Sequence, residues 1–372
     1  MKKSPFSWIG PVGIVALTAI IGLAPAELGA QTPGAAEAAK KPAAPAATKA
    51  APKSSTKYSA ARARNRRAAL ARARAAAIAR ELAEKLPRLK PDASGALVPD
   101  LHAEAAIIYD PKTSEILWEE NSQTQRSIAS ITKVMTATVF LESNPDFSQQ
   151  VTIARSDVLH ASTTFLRAND KVTVDDLMHL LLIPSDNAAA RALARISPYG
   201  TEGFIDRMNA KAYELGLEAT SYADPSGLLS DNVSSAFDMA RLITHASNDE
   251  RISSIMRTST FTVRTANAKP RTITFRSTNR LLGRDDVEVR AGKTGFISKA
   301  GYCLATLLQL PQSGQQVAVV VLGARSNAGR FVETRNLFDW MSSKASSIFS
   351  AASASAVAPA AAAPVAPQPQ LQ

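Results

Sequence analysis

Ser130 and Lys133 are three residues apart, and this spacing could give a serine hydroxyl its own base. A serine is a poor nucleophile at neutral pH unless a neighbouring group takes its proton. The apolar stretch that follows as far as Leu141 has no Gly or Pro and predicts a helix that begins at Ser130. Residues i and i+3 share one face of a helix, so the Lys133 amine would lie beside the hydroxyl. The pair is therefore a candidate acylation centre.

The spacing alone is not specific, because Ser54 and Lys57 repeat it in an Ala-, Pro- and Lys-rich stretch that is too poor in large apolar residues to fold. A second motif, Lys293-Thr294-Gly295, occurs once and follows a strand-like segment. A strand can carry such a lysine to the edge of a cleft. The serine and lysine pair therefore has a partner motif that the accidental copy lacks.

The third motif, Ser-x-Asn, occurs at Ser185, Ser230 and Ser277, and context distinguishes the three copies. Ser185 lies between two helical patterns, on a turn that could project its hydroxyl and the Asn187 amide into a cleft. Ser230 falls in a loop, and Ser277 falls in a β-rich run. The copy at Ser185 is the one that we expect at the site.

The order Ser-x-x-Lys, Ser-x-Asn, Lys-Thr-Gly resembles the motif set of penicillin-binding proteins and class A β-lactamases. Neighbouring stretches are similar to the D-alanyl-D-alanine carboxypeptidase family of low-molecular-mass penicillin-binding proteins. These stretches are residues 128–137, residues 224–228 with Asn232, residues 292–296 and residues 300–304. The resemblance runs from about Ala103 to Met341. The longer carboxypeptidases carry a further β-rich domain and an amphipathic anchor, so the chain looks more like the short D-alanyl-D-alanine endopeptidase type.

The resemblance implies a mixed α/β (α+β) fold of the β-lactamase/DD-peptidase kind, an antiparallel sheet flanked by helices plus a helical lobe, with the active site between them. The local patterns agree with it. Hairpins are predicted around residues 105–118 and 301–322, helices dominate from Ser130 to about His245, and Thr173 and Asp176 form a capping box. A last helix is predicted from about Arg330 to Met341.

The resemblance also implies roles for individual side chains. Ser130 would be the nucleophile, Lys133 the general base and Ser185 a proton relay to the leaving amine. To act near pH 7, Lys133 must lose a proton that an ordinary lysine keeps, and burial would lower its pKa.

The implied substrate-binding residues are those of the turn and of the Lys-Thr-Gly strand. Their roles would be to hold the substrate amide, to supply positive charge, to bind the terminal carboxylate and to form the oxyanion hole with the Ser130 N–H. The residues are Asn187, Lys293, Thr294, Gly295 and Phe296. No cofactor and no metal is implied, and the partners would be peptidoglycan stem peptides and β-lactam antibiotics as covalent inhibitors.

Two alternative functions remain open at this point. A β-lactamase needs a second base, which in class A enzymes is a Glu in a Glu-x-x-x-Asn loop. Downstream of Asn187 no Glu has an Asn four residues further on, which predicts slow loss of the acyl group. The second alternative is a non-catalytic peptidoglycan-binding envelope protein. The sequence does not decide between carboxypeptidase and endopeptidase activity.

The charge of the chain is concentrated near its start. The net charge is +11, and residues 1–100 hold seventeen Lys and Arg against six Asp and Glu, so the rest is neutral. Residues 1–30 have the layout of a signal peptide, with an uncleaved anchor as the alternative, and they predict export to the periplasm or cell envelope. A basic, partly helical linker (31–100), a peptidase domain (101–343) and a disordered Ala/Pro-rich tail (344–372) follow.

The basic segment from residue 57 to residue 90 has three competing interpretations. It could be a solvated helical spacer, it could bind an anionic envelope surface, or it could bind nucleic acid. An exported protein seldom meets nucleic acid, so we expect no nucleic-acid partner.

Overall fold

The computed structural model describes residues 62–76, 88–310 and 313–356, with side chains as far as Lys344. The chain divides into two units, 1–66 and 67–372. Of the first unit, residues 62–66 are described, and they begin an exposed helix, α1, that ends at residue 76. The predicted signal peptide lies outside the described residues. Within the described ranges, no helix is both long and apolar enough to cross a membrane.

The strands of the described ranges are β1 (Leu89–Pro91), β2 (Leu97–Pro99), β3 (Ala105–Asp110), β4 (Glu115–Glu120), β5 (Arg126–Ser127), β6 (Gln150–Thr152), β7 (Lys171–Thr173), β8 (Val233–Ser234), β9 (Thr260–Arg264), β10 (Thr272–Arg276), β11 (Glu288–Ile297), β12 (Gly301–Gln309) and β13 (Gln316–Ala324). The helices after α1 are α2 (Thr132–Leu141), α3 (Arg155–Val158), α4 (Val174–Leu182), α5 (Asn187–Ile196), α6 (Gly200–Glu214), α7 (Ala236–Ser247), α8 (Glu250–Met256) and α9 (Asn327–Ala356).

A five-stranded antiparallel sheet of order β11-β12-β13-β3-β4 forms the centre of the domain. Both faces of its inner strands are covered, and all six residues of β3 are buried. Alternate side chains of a strand point to opposite faces. Ile107 accordingly joins the core under the helical lobe, and Ile108 joins the core that includes Phe338 of α9. The two predicted hairpins and the mixed architecture are confirmed.

Helix α2 lies at the centre of the helical lobe and is buried over its whole length. It packs against α4, α5, α6 and α7, and the turn before it packs against β11. The N-terminal end of α2 therefore lies where the lobe meets the edge strand of the sheet.

Two caps fix the turn between α4 and α5. Thr173 accepts a hydrogen bond from the Asp176 N–H at the start of α4, and the Asp176 carboxylate accepts from the Thr173 N–H, so the predicted capping box is confirmed. Asp186 caps α5 by accepting from the Ala189 N–H at 3.0 Å. Because α4 ends at Leu182 and α5 begins at Asn187, Ser185 lies on a tight turn, as predicted.

The helix predicted to begin at Ser130 begins later. Ser130 lies in a 3-10 helix, Ala129–Ile131, and α2 starts at Thr132. Ala129 has a φ of 50°, which a regular α-helix does not contain. The Thr132 hydroxyl donates to the Ala129 carbonyl at 2.8 Å and stabilises this tighter turn.

Two further predictions need correction at the ends of the domain. The linker predicted to reach residue 100 contains the hairpin β1–β2, whose Leu97 carbonyl accepts a hydrogen bond from Trp340 at 3.0 Å. Helix α9 does not end near Met341 but continues to Ala356, because the Ala- and Ser-rich stretch after it has no Gly or Pro. The rest of the predicted tail lies outside the described residues.

Candidate active site

The Ser130 turn is held between two glycines. A Cβ on Gly227 would lie 2.1 Å from the Ala129 carbonyl oxygen, and a Cβ on Gly295 would lie 2.6 Å from the Ile128 carbonyl oxygen. Both distances are far shorter than any real Cβ contact, so only glycine fits at either position. The loop that contains Gly227 and the strand β11 therefore press on the nucleophile turn from two sides.

Lys133 reaches three oxygen atoms from the first turn of α2. Its Nζ lies 2.9 Å from Ser130 Oγ, 2.6 Å from Asn187 Oδ1 and 2.5 Å from the Ser226 carbonyl oxygen. The oxygens of Asn187 and Ser226 can only accept hydrogen bonds. They occupy the two N–H groups of a neutral amine, and the lone pair is left facing the Ser130 hydroxyl. This is the arrangement that a general base requires.

Burial explains why Lys133 can be neutral. The side chain is completely buried, and this burial lowers the pKa of Lys133 from 10.5 to about 7. The negative charges of Asp224 and Asp186 raise the pKa of Lys133, because they favour the protonated amine. The positive charge of Arg191 lowers the pKa, as burial does. A substantial fraction of the amine is therefore unprotonated near neutral pH.

Ser185 and Lys293 form a second pair of hydroxyl and amine. Lys293 Nζ lies 2.8 Å from Ser185 Oγ and donates to the Thr294 carbonyl at 2.9 Å. Lys293 is buried, and burial together with the nearby Lys133 and Arg330 lowers its pKa well below the ordinary value. Ser185 has a φ of 68°, an unfavourable conformation for a serine that directs its hydroxyl towards this lysine.

Asn187 is held by both ends of its amide. Its Oδ1 accepts from Lys133, and its Nδ2 donates to the Ala161 carbonyl at 2.7 Å. The side chain is buried at the start of α5. Asn187 lines the cleft, where the sequence predicted a substrate ligand, and it also contacts the base.

The Lys-Thr-Gly strand supplies the opposite wall. The hydroxyls of Thr294 and Thr278 lie 2.6 Å apart. Phe296 follows Gly295, is half-exposed and stacks on Tyr302 with ring centroids 4.2 Å apart. The backbone of Gly295 lies against the Ser130 N–H, which its Cβ would approach to 3.1 Å. Thr294, Gly295 and Phe296 of β11 therefore lie in the same cleft as Ser130.

These groups surround a cleft of about 520 Å³, which is within the usual size of a ligand site. Ser130, Ser185, Asn187, Thr294, Gly295 and Phe296 all line it. None of the described lining residues is an Asp or Glu. A larger cavity of about 680 Å³ lies among the turns after β3 and β12, but it holds no buried lysine. The chemistry belongs to the smaller cleft.

Three parts of the site were not assigned a role from the sequence. The Ser226 carbonyl binds the base, Thr278 pairs with Thr294, and Arg330 lines the cleft and donates to the Gly295 carbonyl at 3.0 Å. A backbone carbonyl leaves no signal in a sequence. The stretch that contains Ser226 was visible only through its family resemblance.

Comparison with known proteins agrees with the geometry. Residues 92–326 match the family model described as D-alanyl-D-alanine carboxypeptidase, peptidase S11. The chain is 34% identical over 254 residues to a D-alanyl-D-alanine endopeptidase of Pseudomonas aeruginosa, covering 68% of this chain and 81% of that protein. It is 32% identical over 251 residues to the D-alanyl-D-alanine endopeptidase of Escherichia coli K12, covering 67% and 80%.

Solved structures give the same result for the fold. The Streptomyces K15 DD-transpeptidase superimposes with a TM-score of 0.61 at 28% identity, covering 65% of this chain and 97% of that chain. Penicillin-binding protein D2 from Listeria monocytogenes, in its cefotaxime-bound form, gives a TM-score of 0.56 at 28% identity, covering 65% and 98%. The chain belongs to the D-alanyl-D-alanine carboxypeptidase family of serine peptidases, and its predicted fold class and DD-peptidase function are confirmed.

Proposed function

We propose that this protein cleaves the D-alanyl bond of peptidoglycan stem peptides through an acyl-enzyme on Ser130, and that cross-linked peptides are its preferred substrates. The contact that carries the proposal is the 2.9 Å pair of Ser130 Oγ and Lys133 Nζ. The Ser130 oxygen attacks the carbonyl carbon of the D-alanine, and its proton passes to the neutral amine of Lys133. The N–H groups of Ser130 and Phe296 receive the oxyanion.

The second half of the reaction uses the other amine and hydroxyl. As the peptide bond breaks, the leaving nitrogen takes a proton from the Ser185 hydroxyl, which Lys293 holds in place. Ser185 recovers the proton that Lys133 took from Ser130, so Lys133 is neutral again. Water then attacks the ester carbonyl and gives a proton to the neutral Lys133 amine. This proton passes to Ser130 Oγ as the bond between Oγ and the carbonyl carbon breaks, and the shortened peptide leaves with a free carboxylate. The absence of a carboxylate among the described lining residues supports slow hydrolysis of a β-lactam acyl group, unlike a β-lactamase.

The charge of the cleft supports the preference for cross-linked substrates. Arg330 is the only cationic residue among the described residues of the lining, and its guanidinium donates to the Gly295 and Cys303 carbonyls and to Asn327. A terminal carboxylate would meet the hydroxyls of Thr278 and Thr294 rather than an uncommitted cation. A substrate that continues beyond the scissile bond, as a cross-linked peptide does, therefore loses no ion pair in this cleft. The relatives named endopeptidase support the same choice.

Chromatography of muropeptides after digestion tests this preference. We expect cross-linked dimers to disappear faster than terminal D-alanine is removed from pentapeptide monomers. Faster trimming of the monomers would make the protein a carboxypeptidase. The Ser130→Ala variant is the control for both the loss of dimers and the loss of terminal D-alanine. Activity that survives in this variant would exclude Ser130 as the nucleophile.

We also propose that residues 57–90 hold the exported protein against an anionic envelope surface. The described helix α1 supports this, because all of its residues are exposed and its charged side chains are arginines: Arg62, Arg64, Arg66, Arg67, Arg72 and Arg74. Binding to vesicles that contain anionic lipid should weaken when these six are replaced by Gln, and should weaken in high salt. Unchanged binding would leave the segment as a spacer.

Amino-terminal sequencing of the mature protein tests export and cleavage after Ala30.

A further inference from the structure

The loop from Asp224 to Asn232, here called the 224–232 loop, is organised around one carboxylate. Asp224 Oδ1 accepts from the N–H groups of Ser226 at 2.6 Å and Gly227 at 2.9 Å. Asp224 Oδ2 accepts from the Leu229 N–H at 2.7 Å and from Asn232 Nδ2 at 2.6 Å. A carboxylate that accepts this many hydrogen bonds fixes the path of the backbone around it. The loop is therefore rigid for its length.

The same loop contacts the nucleophile turn and α2 at three places. The Ser226 carbonyl accepts from Lys133 Nζ at 2.5 Å, and the Pro225 carbonyl accepts from the Thr136 hydroxyl at 2.6 Å. Gly227 lies against the Ala129 carbonyl. The position of the base therefore depends on a backbone that Asp224 holds in place.

We propose that Asp224 is a positioning residue for acylation: it fixes the Ser226 carbonyl on one N–H of Lys133, so that the lone pair of the amine faces Ser130. The proposal rests on the roles given above to Ser130 and Lys133. Without the carboxylate, the loop has no acceptor for its N–H groups, and the carbonyl moves away from the base. A displacement of about 1 Å in such a contact can cost about a hundredfold in rate.

Asp224 has a second effect that a purely structural residue lacks. The charged groups around Lys133 are Asp224 of the loop, Asp186 of the turn before α5, Arg191 of α5 and Lys293 of β11. The negative charge of Asp224 stabilises the protonated amine. Removing it lowers the pKa of Lys133 further, so the loss of activity on acidification must occur at lower pH.

The Asp224→Asn variant separates these effects, because it removes the charge at almost constant volume. We expect its second-order rate of acylation by benzylpenicillin to fall about tenfold or more at neutral pH. We also expect the acid limb of its pH–rate profile to shift to lower pH. The fall in rate tests the position of the base, and the shift tests the charge.

Asp238→Asn is the matched control. Asp238, like Asp224, is a carboxylate that accepts from a backbone N–H and a hydroxyl, those of Ala219 and Thr220. It is buried where Asp224 is partly buried, and it is not among the charges that act on Lys133. The Asp238→Asn variant should therefore leave the acid limb of the pH–rate profile at the wild-type pH. A similar shift in this variant, or an unchanged rate in Asp224→Asn, would overturn the proposal.

A second loop variant keeps the test decisive if Asp224→Asn does not fold. Asn232→Ala removes one hydrogen bond to the Asp224 carboxylate and the acceptor of the Asp224 and Ala223 N–H groups, and it leaves the charge. Acylation should therefore slow by about threefold to tenfold without a shift to lower pH. An unchanged rate would contradict the positioning role. Failure of the wild-type protein to acylate would instead contradict the proposed function, so the two failures are distinguishable.

Discussion

Gly227 and Ala129 are so close that a Cβ on the glycine would lie 2.1 Å from the Ala129 carbonyl oxygen. Both residues have positive φ angles, 78° for Gly227 and 50° for Ala129. Glycine adopts its positive φ freely, whereas that of Ala129 is strained, so the 224–232 loop packs against a turn in an unfavourable conformation. Strain of this kind persists where the surrounding structure stabilises it, and it is common at active sites.

Replacing Gly227 by Ala should disable the site. The new Cβ forces the Ala129 carbonyl away, and overpacking of this kind costs about 1–3 kcal/mol in addition to about 1 kcal/mol for the positive φ. Acylation by a fluorescent penicillin should be lost. Gly283→Ala is the matched control, because Gly283 has a φ of 76° but nothing within 4 Å of its Cβ position. If both variants acylate normally, the loop does not constrain Ser130.

Acylation should depend on pH through the protonation of Lys133. Burial lowers the pKa of this amine to about 7, and only the neutral form accepts the Ser130 proton. The rate should therefore rise with pH through about 7 and level off above it. The measurement is the second-order rate of β-lactam labelling between about pH 5 and about pH 10. A rise centred near the pKa of an ordinary lysine would contradict the conclusion that burial makes Lys133 a base at neutral pH.

Lys293→Met should separate stability from activity. Burial lowers the pKa of Lys293, so the folded state disfavours a proton that the unfolded chain holds, and this costs free energy at pH values below the unfolded pKa. Methionine removes that cost and keeps most of the volume. The free energy of unfolding near pH 7 should rise, on the order of 1 kcal/mol, and the gain should shrink towards pH 10.

Activity should change in the opposite direction in the same variant. Ser185 loses its amine partner, so turnover of muropeptides should fall by about a hundredfold. Thermal melts at two pH values and muropeptide assays check the two effects. A less stable but active variant would contradict both the charge argument and the proton relay.

Thr278→Val should weaken substrate binding rather than chemistry. The Thr278 hydroxyl lies 2.6 Å from that of Thr294 and orients it in the cleft. Loss of one hydrogen bond of this kind corresponds to about a threefold to tenfold rise in KM, with kcat nearly unchanged. The control is Thr262→Val, which removes the same kind of hydroxyl pair from the exposed face of strands β9 and β10. Equal effects in the two variants would place the Thr278 hydroxyl outside the site.

The sequence identified candidate side chains that the structure brings together, but it did not identify their backbone partners. Ser130, Lys133, Ser185 and Lys293 were identifiable because each is a chemical group that occurs at a recognisable spacing. The Ser226 carbonyl was not, because any residue can supply a carbonyl and only the fold decides where it points. The φ of 50° at Ala129 was also unpredictable, since alanine normally avoids that region.

The errors in the fold have similarly local causes. The strands β1 and β2 are three residues long and each ends in a proline, so they carry almost no periodic pattern. The continuation of α9 to Ala356 follows from alanine propensity, which the many serines and the scarcity of large apolar residues obscured. The long strands and the capped helices were predictable because pattern and burial agree there.

The mass of the intact protein after incubation with benzylpenicillin tests the central claim most directly. We predict one added acyl group, located on Ser130 by peptide mapping, which persists because the described cleft lining has no carboxylate to activate water. Ser130→Ala should show no adduct while melting at nearly the temperature of the wild type. An adduct that survives in Ser130→Ala, or one mapped to a different residue in the wild type, would contradict the assignment of Ser130 and Lys133 as the acylation centre.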